Sequence, residues 1–188
     1  AYKRELSAAR QRQDQQAPLV IDRLMESATA LEFRKVRATG RFEQELQLFI
    51  ENRKFQGRNG YHVVTPLKLN NSEVRVLVNR GWVPPARDPG LLPAVETPAT
   101  TVQVSGVAHI PAPPALSLGE ANARLDQPAR WPYLTVERFA AGVDYPVQPF
   151  VILQSPQNEH GFVRVWPRHG PNDAMHIVVG LGSDSLVK

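Results

Sequence analysis

From residue 33 to residue 83 the apolar side chains return at every second position, and the breaks between runs are short and polar. That pattern constrains the chain more than any other feature, because it fits half-buried strands joined by hairpins. The first strand covers residues 33–40. In the second, 46–55, Leu46, Leu48 and Ile50 share one face and Phe49 takes the other. In the third, Tyr61, Val63, Thr65, Leu67 and Leu69 alternate with His62, Val64, Pro66 and Lys68. In the fourth, Val74, Val76, Val78, Arg80 and Trp82 alternate with Arg75, Leu77, Asn79 and Gly81. The linkers, 56–60 and 70–73, are too short for crossovers, so neighbouring strands run antiparallel. Pro66 has no amide donor and therefore belongs at an edge or a bulge.

Downstream the pattern loosens. Eight of the seventeen prolines lie in residues 84–114, where only one strand, 101–108, is embedded. The rest of that stretch reads as surface loops and not as a domain boundary, since the later strands need partners. Val136, Phe139, Ala140 and Val143 are spaced for a short helix over 134–142, with Thr135 as N-cap and Gly142 as stop. Strands follow at 150–154 and 162–166. At the other end, residues 1–16 are polar and rich in Gln and Arg. From Pro18, the spacing of Ile21, Leu24, Met25, Ala28 and Leu31 predicts a helix. The expected fold class is α+β: a mainly antiparallel sheet, barrel-like or strongly curled so as to hide its edges. It should form one domain over 1–188, with a helical segment 1–30, a β-rich core 31–167 and a tail 168–188.

Composition narrows the chemistry. Hydrophobic residues at 42% and charged residues at 21% suit a folded chain, and a net charge of +4 admits an anionic partner or membrane surface. The absence of cysteine excludes disulfides, thiolate zinc sites, iron–sulfur clusters and cysteine nucleophiles. No run of 18 apolar residues is present to cross a bilayer. A start at Ala1, without Met or a signal peptide, suggests a processed protein or an excised piece. Phosphate loops, nucleophile elbows and the His-Glu-x-x-His motif are all missing.

Several residues remain as candidates. Arg80 shares a face with Val74, Val76 and Val78, so its guanidinium must be paired, bind an anion, or have reached solvent at the strand end. Asn52-Arg53 and Asn79-Arg80 end two strands and could form one polar cluster. Gly57, Gly60 and Gly81 read as positions that serve backbone needs, either positive φ or close approach. The spacing of His62, His109, His160, His169 and His176 matches no metal motif, although a single axial haem ligand needs no spacing. Phe42, Phe49, Phe55 and Tyr61 among basic residues leave open a stacking platform for nucleic acid.

The landmarks also occur in a particular order. Residues 33–42 carry Arg34, Val36, Gly40 and Phe42. Asn52-Arg53 is followed by Gly60-Tyr61 and Thr65-Pro66-Leu67. Val76-Leu77-Val78-Asn79-Arg80-Gly81-Trp82-Val83-Pro84 comes next, then Pro146, Pro149 and Val151, and finally Arg164-Val165-Trp166. Over residues 20–176 this resembles the Surfeit locus protein one family, called Shy-one in yeast, of cytochrome c oxidase assembly factors. The resemblance implies a non-enzymatic protein whose one extracytoplasmic domain lies between two transmembrane helices. The setting would be the bacterial inner membrane, facing the periplasm, or the mitochondrial inner membrane, facing the intermembrane space. It implies help in delivering haem a to the oxidase catalytic subunit, with that subunit and other assembly factors as partners and no nucleic acid.

His176 then aligns with the family's haem-linked histidine and is the candidate iron ligand, with Arg80 and Arg53 as cofactor-binding candidates for propionates. The Tyr-Ala and Gln-Trp that usually follow the histidine are absent here. Asn52, Gly60, Tyr61, Pro66, Asn79, Gly81, Trp82, Pro84 and Trp166 are the motif residues expected to be structural. Within that motif, Gly81 would admit a second backbone and Trp82 would pack beside it. The alternative reading is a soluble β-barrel module that binds an oligonucleotide or another anionic ligand.

Overall fold

A computed structural model describes residues 17–115, 129–158, 161–164 and 166. In chain order its strands are β1 (Leu19–Val20), β2 (Lys35–Phe42), β3 (Leu48–Phe55), β4 (Arg58–Leu69), β5 (Arg75–Val83), β6 (Val102–His109), β7 (Arg130–Trp131) and β8 (Val147–Gln154). One short helix, α1 (Val136–Ala140), precedes β8. The alternating segments thus form strands as their period requires, and the sheet curls until it meets itself. β2 pairs with β6, β6 with β8, β8 with β5, β5 with β4, and β4 returns to β2 through Gly40–Leu69 and Phe42–Leu67. β5 and β8 run parallel and the other four pairs antiparallel, so this is a closed, five-stranded mixed barrel. Closure removes the open edges. β3 extends from β4 outside the ring and carries β7, while β1 lies along β2.

β4 is long because it serves two partners. Residues 58–64 pair with β3, and residues 67–69 pair with β2. Pro66 sits at the changeover. Its carbonyl accepts from the Glu43 amide, and its missing N–H faces the same side, where β4 has left β3 and not yet met β2. The barrel interior is filled by the inward set of the alternation, including Val36, Leu67, Val76, Val78, Phe150 and Ile152, all fully buried. The outer face of the same wall is covered as well. Leu77, Val64 and Val151 pack beneath Trp131, Leu134, Val136 and Phe139 of the α1 region. Burial on both faces explains why every residue of β5 is buried. The Thr135 hydroxyl caps α1 by accepting from the Arg138 amide at 3.2 Å, and the Gly142 amide closes its last turn on Phe139.

Two expectations need correction. Residues 17–31 do not form the predicted N-terminal helix; they contain β1, an irregular stretch and a single 3-10 turn at Thr29–Leu31. The apolar residues are used nonetheless. Ile21 and Leu31 are buried in the barrel's core with Met25 and Ala28 packed against it, while Leu24 is exposed. The backbone is satisfied by a side chain instead of a helical turn: Gln148, fully buried on β8, accepts from the Met25 amide and donates to the Arg23 carbonyl. The predicted strand 162–166 is reduced, among its described residues, to one bridge between Val163 and Trp82. Residues 1–16 and the tail 168–188 lie outside the described residues. Among those described, no helix is long and apolar enough to cross a membrane.

Because Gln148 replaces a helix's own hydrogen bonds, Gln148→Met should leave one amide and one carbonyl buried and unmet. The expected loss is about 2–3 kcal/mol, read by urea denaturation, with faster hydrogen exchange at the Met25 amide.

Candidate functional site

Consecutive residues of β5 face opposite ways, and this divides the motif at its end. Arg80 points into the barrel mouth and is 1% exposed. Its guanidinium donates to the Thr97 hydroxyl at 2.9 Å, the Glu96 carbonyl at 2.7 Å, Gln47 Oε1 at 3.2 Å and the Thr65 hydroxyl at 3.4 Å. The rings of Phe42 and Phe162 lie over it, at 4.9 and 4.7 Å from their centroids. Burial pulls its pKa down to about 10, so it remains charged at neutral pH. This position is internal, so of the polar cluster expected from Asn52-Arg53 and Asn79-Arg80, Arg53 and Asn79 share a site and Arg80 does not.

Asn79 points outward. Its Oδ1 accepts from the Gly81 amide at 3.1 Å, which turns its Nδ2 toward His62 Nδ1 at 3.3 Å. An amide nitrogen can only donate, so His62 Nδ1 must accept and the ring proton resides on Nε2. Trp166 meets His62 edge to face at 5.6 Å and anchors its own N–H on the Gln154 carbonyl. These side chains line a half-open cavity of about 290 Å³ on the outer wall of the barrel. Ile50, Val64, Leu134, Val151 and Leu153 make it apolar, and Arg53, His62, Asn79 and His109 make it polar. Among the described residues, Arg53's guanidinium has no hydrogen bond or ion pair, and burial lowers its pKa. Burial, followed by the nearby Arg53 charge, pushes His62 down to about 4, so its imidazole is neutral at pH 7.

The backbone explains how Arg53 reaches this place. The β3–β4 register shifts between Ile50 and Arg53, and Asn52 occupies the left-handed region at φ 56°. Asn tolerates that conformation better than most residues, and such a bulge re-aims the side chain that follows. Asn52 Oδ1 also accepts from Asn59. The Trp82 indole then holds the Arg53 carbonyl at 2.8 Å and packs on Phe55. Gly60 has no room for a Cβ, which would lie 2.7 Å from the Trp82 ring. Gly81, at φ 115°, admits the Val163 backbone, whose carbonyl a Cβ would approach to 2.5 Å. Tyr61 stands edge-on to Phe49, and Pro84 is the exposed first residue after β5.

Of the cofactor-binding candidates, Arg53 lines the cavity, Arg80 is inside the barrel and His176 lies outside the described residues. Asn79 and Trp166, expected to be structural, also line the cavity. His62 and His109 belong to it and were not singled out; the alternation does put His62 on the face of Val64, but only strand pairing brings it to Asn79 and Trp166. The aromatic rings considered for base stacking are engaged elsewhere: Phe42 and Phe49 are buried, and Phe55 lies on Trp82. Among the described residues no group of three or more His, Asp or Glu could hold a metal ion.

Arg80→Lys should lose the planar fork and the two-sided ring contact, lowering stability by about 2–3 kcal/mol in chemical denaturation. For His62, the unfolded chain binds a proton below about pH 6.5 that the folded chain refuses until about pH 4. Stability is therefore full above pH 6.5 and should fall by roughly 2–3 kcal/mol as pH drops to 4, partial exposure included. His62→Gln should flatten that part of the stability–pH curve.

The sequence matches the SURF1 family over residues 1–177. It is 37% identical over 70 residues to Surfeit locus protein 1 of Arabidopsis thaliana, covering 32% of this chain and 20% of that protein. It is 38% identical over 52 residues to the cytochrome oxidase assembly protein SHY1 of Saccharomyces cerevisiae, covering 28% of this chain and 13% of that protein. These alignments span a fifth or less of the relatives' length, whereas the family match runs nearly the whole chain, through the strands that build the cavity: the chain belongs to the SURF1 family.

Proposed function

We propose that this chain is the extramembrane domain of a cytochrome oxidase assembly factor, acting by binding and not by catalysis. The observation that carries the reading is the family match over residues 1–177, taken with a relative whose name states that role. The geometry agrees with a binding protein: a closed barrel with a preformed cavity on one wall. In this reading the domain faces the periplasm or the intermembrane space, flanked by two membrane helices. It works beside the oxidase catalytic subunit and other assembly factors. Loss of the gene should lower the amount of assembled oxidase in membranes, read from its haem a absorbance; an unchanged spectrum would sink the proposal.

The finer reading is that the protein handles haem a, with His176 as axial ligand. The described residues support it only in part. Arg53 presents a guanidinium that a propionate could reach, while Arg80 is enclosed and already bonded. The cavity, at about 290 Å³, is smaller than a tetrapyrrole with its side chains and does not enclose one. Full-length protein mixed with haem a should show a shifted Soret band that His176→Ala weakens. A wild-type spectrum identical to free haem a would remove the haem role and leave the assembly role to protein contact.

A further inference from the structure

The cavity on the outer wall does not enclose a haem, yet it is built like a ligand site. About 290 Å³ is near the lower end of small-molecule pockets, and its walls are aliphatic with few polar groups. The decisive feature is Arg53. A bulge at Asn52 and the Trp82 hydrogen bond to its carbonyl set its backbone. Its guanidinium is half-buried without a partner among the described residues. A partly desolvated cation beside an aliphatic wall lacks an acid head for the charge and an apolar body for the wall.

We propose that the cavity binds a small acidic amphiphile, with its carboxylate on Arg53 and its chain along Ile50, Val64, Leu134, Val151 and Leu153. Binding is coupled to a proton. His62 resists protonation because it is buried and because Arg53 is close. A bound carboxylate cancels the second cause, so His62 gains affinity for a proton as the site fills. The other charged or titratable groups facing it are Arg53 from β3 and His109 at the end of β6; β5 and β8 bring Asn79, Val151 and Leu153, which do not titrate. His109 Nδ1 stands 3.9 Å from the Glu32 carboxylate. His176 is untouched and no haem enters the test below, so the acid site and the haem role can fail separately.

The test is isothermal titration calorimetry of the 188-residue chain with sodium decanoate, decanol and acetate as probes. Decanoate should bind one to one, and decanol and acetate at least about tenfold more weakly, since one lacks the charge and the other the chain. Arg53→Gln should weaken decanoate by about tenfold or more, and Arg53→Lys should recover part of the loss. Neither change touches the Arg53 carbonyl that holds Trp82, and unchanged circular dichroism checks the fold. Decanesulfonate, which stays ionised where His62 titrates, should raise the His62 pKa above about 4 in an NMR titration of the ring, and His62→Gln should still bind decanoate. No saturable decanoate binding, equal binding of decanol, or an unaffected Arg53→Gln overturns the site. A His62 titration that is unchanged when the site is filled overturns the coupling.

Discussion

A guanidinium held inside the barrel mouth is the interaction on which the rest of this structure leans. A charge in an apolar interior is tolerated only when its donors are directed and its faces covered. Arg80 meets both conditions by drawing on separate parts of the chain. Gln47 comes from the turn before β3, Thr65 from β4, Thr97 and the Glu96 carbonyl from the proline-rich segment, and the covering rings from β2 and the C-terminal stretch. Residues 84–101 of the proline-rich segment make no ladder of their own, so Arg80, with the packing of Leu92 and Val95 near Val83, gives them a place on the barrel.

One register step separates that structural role from the candidate site. Side chains on a strand alternate, so the residue beside the internal Arg80 is the outward Asn79, which orients His62 in the cavity wall. The same division operates across the sheet. Phe150 and Ile152 fill the interior while Val151 and Leu153 line the cavity behind them. A wall used on both faces can support a preformed site, because the strands that position the site are the ones the core immobilises. The bulge at Asn52 is the local departure that brings a cation to that wall.

Much of the barrel was legible in the alternation itself. The strands from Lys35 to Val83 follow the period-two runs, and the short linkers imply the antiparallel pairs seen for β3, β4 and β5. Thr135 and Gly142 also act locally, one by its hydroxyl and one by ending a turn, so their roles could be read from position. The misread helix at 18–31 shows where such reading fails. Ile21, Met25, Ala28 and Leu31 do have helical spacing, but a barrel end offers the same residues burial without a helix. Gln148, more than a hundred residues away, supplies the hydrogen bonds.

The sequence by itself determined the strands between Lys35 and Val83, which face of each is apolar, and to which family the chain belongs, because these depend on periodicity and local order. Only the tertiary structure decided what the arginines do. Arg53 and Arg80 follow the same residue type, Asn; the valines before Arg80 mark its face, but no local feature names the partners of either. Closure of the barrel encloses one among Gln47, Thr65 and Thr97, and a shifted register turns the other onto a cavity with His62 and Asn79. The physical reason is that a charged side chain takes its role from groups distant in sequence, and a strand pattern specifies its face but not its neighbours.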